Sequence, residues 1–152
     1  MTNAQLGKQF EGVIRKSFAK SERNLEVMKI SDSTDQEVVS DLLVIGDANL
    51  YIEAKSTKAD RFQFSQLKRH QIKSLAHLNN KRQNTHGVVL IEFFGYQVCY
   101  CFTIKDLGKL IKEGITSIHV DDETYQKYPI FLKDNGTYDL GSYYDMFTCE
   151  GE

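Results

Sequence analysis

Ser40-Asp41-Leu42-Leu43-Val44-Ile45-Gly46-Asp47-Ala48-Asn49-Leu50-Tyr51-Ile52-Glu53-Ala54-Lys55 is the stretch that decides the fold. Its first half closes an apolar run, Val38–Ile45, that reads as a largely buried strand. Gly46-Asp47-Ala48-Asn49 then supplies turn chemistry, and Leu50–Lys55 reads as the antiparallel return. On that return the two-residue period of a strand sorts the side chains. Leu50, Ile52 and Ala54 share one face, while Tyr51, Glu53 and Lys55 share the other. Asp41 stands near the far end of the partner strand, so the hairpin can bring Asp41, Glu53 and Lys55 together.

Two carboxylates and an amine at one corner suit phosphodiester chemistry. That reaction needs a nucleophilic water, neutralisation of charge at phosphorus and help for the leaving oxygen. A hard divalent ion supplies part of each, and Mg²⁺ prefers carboxylate, carbonyl and water oxygens. Asp41 and Glu53 are the candidate carboxylate ligands, and the main-chain carbonyl of Ala54 offers a third oxygen. Lys55 orients or deprotonates the water, or neutralises the phosphate; the pattern leaves these alternatives open. Spacing alone is a modest signal, because Asp, Glu and Lys are common.

The flanking segments strengthen it. Upstream, Asn3 to Lys20 reads as an amphipathic helix, with a capping box from Thr2 and Gln5 and a buried stripe of Leu6, Phe10, Val13, Ile14, Ser17 and Phe18. Glu11 borders that stripe and either reaches the site, directly or through water, or pairs with Arg15 at i+4. Downstream, Ser65 is a candidate N-cap for a helix running to about Asn79, with Leu67, Gln71, Leu75 and Leu78 inward. Residues 1–82 hold 14 basic against 10 acidic side chains, and residues 83–152 hold 5 against 11. The basic excess gathers at Lys55, Lys58, Arg61, Lys68, Arg69, Lys73, Lys81 and Arg82, directly after the acidic pair. A basic stripe beside two carboxylates fits a polyanionic substrate, or else is a solvated helix face. With Ser56, the residues Lys58, Arg61, Lys68, Arg69 and Lys73 form the candidate DNA-contact set.

Beyond these lie a short strand at 25–30, a loop at 31–36, a central strand Val88–Phe94, a strand Val98–Phe102, and a helix at about Ile104–Glu113 capped by Thr103 with Asp106. Short strands are expected at Ser117–Val120 and Ile130–Leu132, followed by a tail rich in Tyr, Gly and Asp. The alternation predicts an α/β fold, a mixed central β-sheet flanked by helices. One domain over 1–152 is expected, with a core at about 3–113 and an acidic extension, 114–152, packing on the core or at a dimer interface. The net charge of −2 argues against a protein that coats nucleic acid indiscriminately. No apolar run approaches a bilayer-spanning length, so no membrane role is expected. Cys99 and Cys101 stand too close on one strand for an easy disulfide, and the polar N-terminus has no signal-peptide core. These point to a reducing cytoplasm.

The order helix, strand, hairpin with Asp…Glu-x-Lys, helix, strand resembles the restriction-endonuclease-like fold of the PD-(D/E)xK superfamily, with Ser40 in place of its nominal proline. Glu53-Ala54-Lys55-Ser56-Thr57, followed by Phe64 and His70-Gln71-Ile72, resembles the catalytic stretch of RecU-type Holliday-junction resolvases. Gly7-x-x-x-Glu11 with Asp41 thirty residues on is similar to the archaeal Hjc-type resolvases. The likeness spans roughly residues 5–112. It implies a homodimer that nicks four-way DNA junctions symmetrically with Mg²⁺ or Mn²⁺. It also implies that Glu11, Asp41 and Glu53 are acidic site residues, Lys55 the catalytic lysine and Gln71 a supporting amide. The alternatives are another nuclease of this superfamily acting on duplex or flap DNA, and a non-catalytic DNA-binding recombination factor of the same fold.

Overall fold

The computed structural model describes residues 1–30, 40–81, 83–122 and 128–148. The expected loop at 31–36, the first residues of the expected strand at 38–39, and Arg82 lie outside the described residues. Helix α1 (Asn3–Ala19) starts at the expected capping box, in which the Thr2 hydroxyl accepts from Gln5 N and the Gln5 side chain accepts from Thr2 N. Strands β1 (Glu26–Lys29), β2 (Leu42–Ile45) and β3 (Asn49–Thr57) form an antiparallel meander. A short strand β4 (Arg61–Gln63) and a 3-10 turn (Phe64–Gln66) lead into α2 (Arg69–Lys81). Strands β5 (Thr85–Phe93) and β6 (Val98–Thr103), helix α3 (Ile104–Lys112), strands β7 (Ser117–His119) and β8 (Pro129–Phe131), and helix α4 (Leu140–Asp145) complete the order.

Six strands pair as β1-β2-β3-β5-β6-β8, and β4 pairs with β7 in a separate ribbon. Among the described strands only β3 and β5 run parallel, from Asn49↔Thr85 to Thr57↔Phe93, so the sheet is mixed. A parallel pair needs a crossover, and α2 provides it. At Gly87 a Cβ would lie 2.9 Å from Leu75 Cβ and from Leu75 O, so the bare glycine lets α2 settle against β5.

Each face of the sheet carries its own core. On one side α1 (Phe10, Ile14, Phe18) and the C-terminal segment (Tyr138, Leu140, Tyr143, Tyr144) cover Leu42, Leu50, Ile52, Val88 and Leu90. On the other, Leu75 of α2 and Ile104, Leu107 and Leu110 of α3 cover Val89, Ile91 and Phe93. With both faces covered, β5 is buried along nearly its whole length, as its unbroken apolar run implied.

The second helix departs from expectation. Ser65 lies in the 3-10 turn, and α2 begins only after Lys68, whose carbonyl accepts from Gln71 N and Ile72 N. Phe62, Phe64 and Leu67 are buried in the second core, and an extended path through β4 buries them where an early helix could not. Tertiary burial overrode a local cap signal. Helix α4 was not foreseen; Asp139 caps it by accepting from Ser142 N at 3.2 Å.

Candidate active site

Asp41 occupies the point where the ladder between β2 and β3 ends. Its N–H donates to Ile52 O at 2.9 Å, and its Oδ2 accepts from Ala54 N at 2.9 Å. Main chain and side chain together bracket Glu53, which places the aspartate beside that glutamate. Because the N–H and C=O of one strand residue point to the same edge, the Ala54 carbonyl is directed to this edge as well.

Glu53 is 2% exposed. Lys55 Nζ stands 3.7 Å from Glu53 Oε1, as expected for neighbours on one strand face, while Glu53 Oε2 is buried with no hydrogen-bond partner among the described residues. Burial, followed by the Asp41 carboxylate, pushes the Glu53 carboxyl up to about 8 against the opposing pull of Lys55 and Lys68. Burial and the neighbouring acid thus outweigh the two cations near this carboxyl.

Glu11, Asp41, Ala54, Lys55 and Ser56 line one cleft of about 310 Å³, closed by the N-terminal half of α1 and by Gln66. Glu11 Oε1 meets Lys29 Nζ of β1 at 3.4 Å. No group of three His, Cys, Asp or Glu side chains among the described residues is arranged to hold a metal. The residues that could hold a cation at this corner are Asp41 and Glu53 with the Ala54 carbonyl, while Glu11 faces the same cleft from α1. The unpartnered Glu53 Oε2 and the raised carboxyl both fit a divalent cation at that pair.

Gln71 lies in the first turn of α2, half-buried, and its Oε1 has no partner among the described residues. It is absent from the cleft lining, although α2 packs on the sheet face that bears Glu53 and Lys55. Lys68, just before α2, is close enough to draw down the Glu53 carboxyl. Lys68, Arg69 and Lys73 are exposed, and Arg69 and Lys73 rim a separate groove of about 510 Å³ floored by Phe64, Leu67, Ile72, Ile111 and Ile115. Lys58 donates to Met1 O, and Arg61 donates to Ser117 Oγ at 2.9 Å. Ser56 is buried, and its hydroxyl donates to Glu92 Oε1 at 2.7 Å. Sequence reasoning passed over Glu92, whose only signal was a lone acid inside an apolar run. It also passed over Lys29 and Gln66, which carried none.

Sheet, flanking helices and the Asp41–Glu53–Lys55 corner together define an α/β protein of the restriction-endonuclease-like class. The family profile of recombination protein U, RecU, matches residues 19–143, and the chain belongs to that family. That match begins beyond Glu11 and runs through the C-terminal segment, which the motif resemblance had left outside. Among solved structures the chain is similar to Hjc, a Holliday junction resolvase from the archaeal hyperthermophile Archaeoglobus fulgidus. The TM-score is 0.52 at 15% identity, over 66% of this chain and 78% of that one. At that identity the likeness speaks for the fold alone. No curated protein matches the chain.

Proposed function

We propose that this chain is a divalent-metal-dependent, structure-selective DNA endonuclease that resolves four-way junctions with symmetric nicks. Membership of the RecU family supports junction resolution, and the observation that carries the chemistry is the buried Glu53, its Oε2 without a hydrogen-bond partner among the described residues, beside Asp41 and Lys55, which line the cleft. Asp41, Glu53 and the Ala54 carbonyl would hold Mg²⁺ or Mn²⁺, with Glu11 reaching it through water; the ion supplies charge neutralisation and a more acidic water. Lys55, beside Glu53, aligns the attacking water or pairs with the scissile phosphate. Gln71 supports the site from α2, its amide N–H groups available to a phosphate oxygen. Lys58, Arg61, Lys68, Arg69 and Lys73 contact phosphates along the arms, which makes binding strongly salt-dependent.

A four-way junction has two-fold symmetry, and paired nicks need two active sites, so the working form is a homodimer. The chain is read as one nuclease domain, its C-terminal part joined to the core through β8 and through Tyr138, Tyr143 and Tyr144. Among the described residues no helix is long and apolar enough to cross a membrane, and the reading places the enzyme with DNA in the cytoplasm.

The test is cleavage of synthetic four-way, flap and linear duplexes, side by side at defined salt, with and without Mg²⁺. Junction cleavage that needs Mg²⁺ and is lost in Asp41→Asn and Glu53→Gln is expected. Equal cutting of flap or linear duplex would make the protein a broader nuclease of the superfamily. Tight junction binding without product under any condition would make it a binding factor.

A further inference from the structure

Glu92 lies outside the cleft, yet both of its carboxylate oxygens are engaged. Ser56 Oγ donates to Oε1 and Tyr138 Oη donates to Oε2, each at 2.7 Å. Glu92 is 6% exposed and Tyr138 is 1% exposed. An ionisable group buried in an apolar strand is costly unless well bonded, and an aliphatic residue would fill such a place without that cost.

The position of the bond suggests its use. Ser56 follows Lys55 directly and pairs with Glu92 in the parallel ladder. On the other side of β3, pairing with β2 reaches only Leu42↔Ile52. The carboxyl end of β3, which carries Lys55, therefore has a regular strand neighbour on one side only. The Ser56–Glu92 bond adds a side-chain tie on that side. Tyr138 is itself braced, since its N–H donates to Ser17 Oγ of α1 at 3.0 Å, and its ring meets Phe10 edge-on at 6.1 Å. The tie thus links β3 and β5 to α1, the helix that carries Glu11.

We propose that Glu92 is a positioning residue of the nuclease site. Held by Tyr138, it anchors Ser56 and so fixes the backbone that presents Ala54 and Lys55 to the cleft. This rests on reading the cleft as the catalytic site; Glu92 itself touches neither metal nor DNA.

The test compares Glu92→Gln, Ser56→Ala and Tyr138→Phe with Tyr144→Phe. Tyr144 loses a comparable buried hydroxyl, one bonded to Ala48 N and O at the β2–β3 turn, away from the cleft. Melting temperature, junction Kd, single-turnover cleavage and amide hydrogen exchange at residues 54–57 are measured for each. Glu92→Gln and Ser56→Ala are expected to slow cleavage about 10- to 100-fold, the range for a group that orients a ligand through another. Junction Kd should stay within about twofold, and the amides at 54–57 should exchange faster. Tyr144→Phe should lower the melting temperature without either effect. Unchanged exchange at 54–57 in Glu92→Gln, or cleavage losses that track melting temperature across all four variants, would overturn the proposal. Exchange is read without turnover, so wild-type protein that cuts no branched DNA would sink the nuclease reading while leaving the anchor to be judged separately.

Discussion

Glu53 and Glu92 sit on adjacent strands, are both buried, and are treated in opposite ways. Glu92 receives a hydroxyl on each oxygen. Glu53 has an amine at 3.7 Å on one oxygen, no partner among the described residues on the other, and the Asp41 carboxylate for a neighbour. The described residues supply a donor to each oxygen of Glu92 and none to Glu53 Oε2. A fold that can satisfy a carboxylate so fully on β5 leaves the one on β3 with an oxygen that a bound cation would complete under the proposed function.

The comparison breaks most readily at the level of activity. Glu53→Gln should lower junction cleavage by more than ~100-fold, beyond the range for a group that only supports a ligand, with binding retained; single-turnover kinetics at saturating enzyme checks it. Next comes pH. The Glu53 carboxyl rises from its ordinary 4.5 to about 8, so the folded state holds its proton more tightly than the unfolded chain does. Stability from this group is complete below pH 4.5 and is lost as pH rises through 8. In chelator-treated protein the loss is at most on the order of 5 kcal/mol, from the size of the shift. Thermal melting across that window should show the decline in wild type and not in Glu53→Gln, and Mg²⁺ should reverse it at the alkaline end.

Stability of the two amide variants then differs in sign. Glu92→Gln should cost about 1–3 kcal/mol, because it disturbs a fully bonded buried group. Glu53→Gln should be neutral or stabilising at pH 8 without metal, because it removes a buried charge that sits beside the Asp41 carboxylate. Urea denaturation of both variants decides this, and a matching loss in both would erase the distinction. The smallest effect is additivity. The two glutamates lie on opposite faces and three residues apart along the ladder, so the double variant should equal the sum of the singles within about 0.5 kcal/mol.

The hairpin was legible because its evidence is local: a period of two, a turn between, and three chemistry-bearing residues at fixed spacing. The strand period alone put Glu53 and Lys55 on one face, and the structure keeps them 3.7 Å apart. The start of α2 was not legible, since the Ser65 cap signal competed with burial of Phe62, Phe64 and Leu67, and burial is settled by distant β5 to β7. Nor was the Ser56–Glu92–Tyr138 link, whose members are 36 and 46 residues apart and whose bonds exist only once the sheet has closed. Glu11 was read from its place at the edge of an apolar stripe, but its contact with Lys29 depends on where β1 lies. What the sequence states through periodicity it states well; what it states through topology has to be folded first.

The bond from the Ala54 amide to Asp41 Oδ2 also joins the corner to the sheet. Regular pairing between β2 and β3 stops at Leu42↔Ile52, and Asp41 extends it by a main-chain bond to Ile52 O and a side-chain bond from Ala54 N. One hydrogen bond at the end of a strand thereby makes the position of the aspartate a measure of how well that strand end is closed.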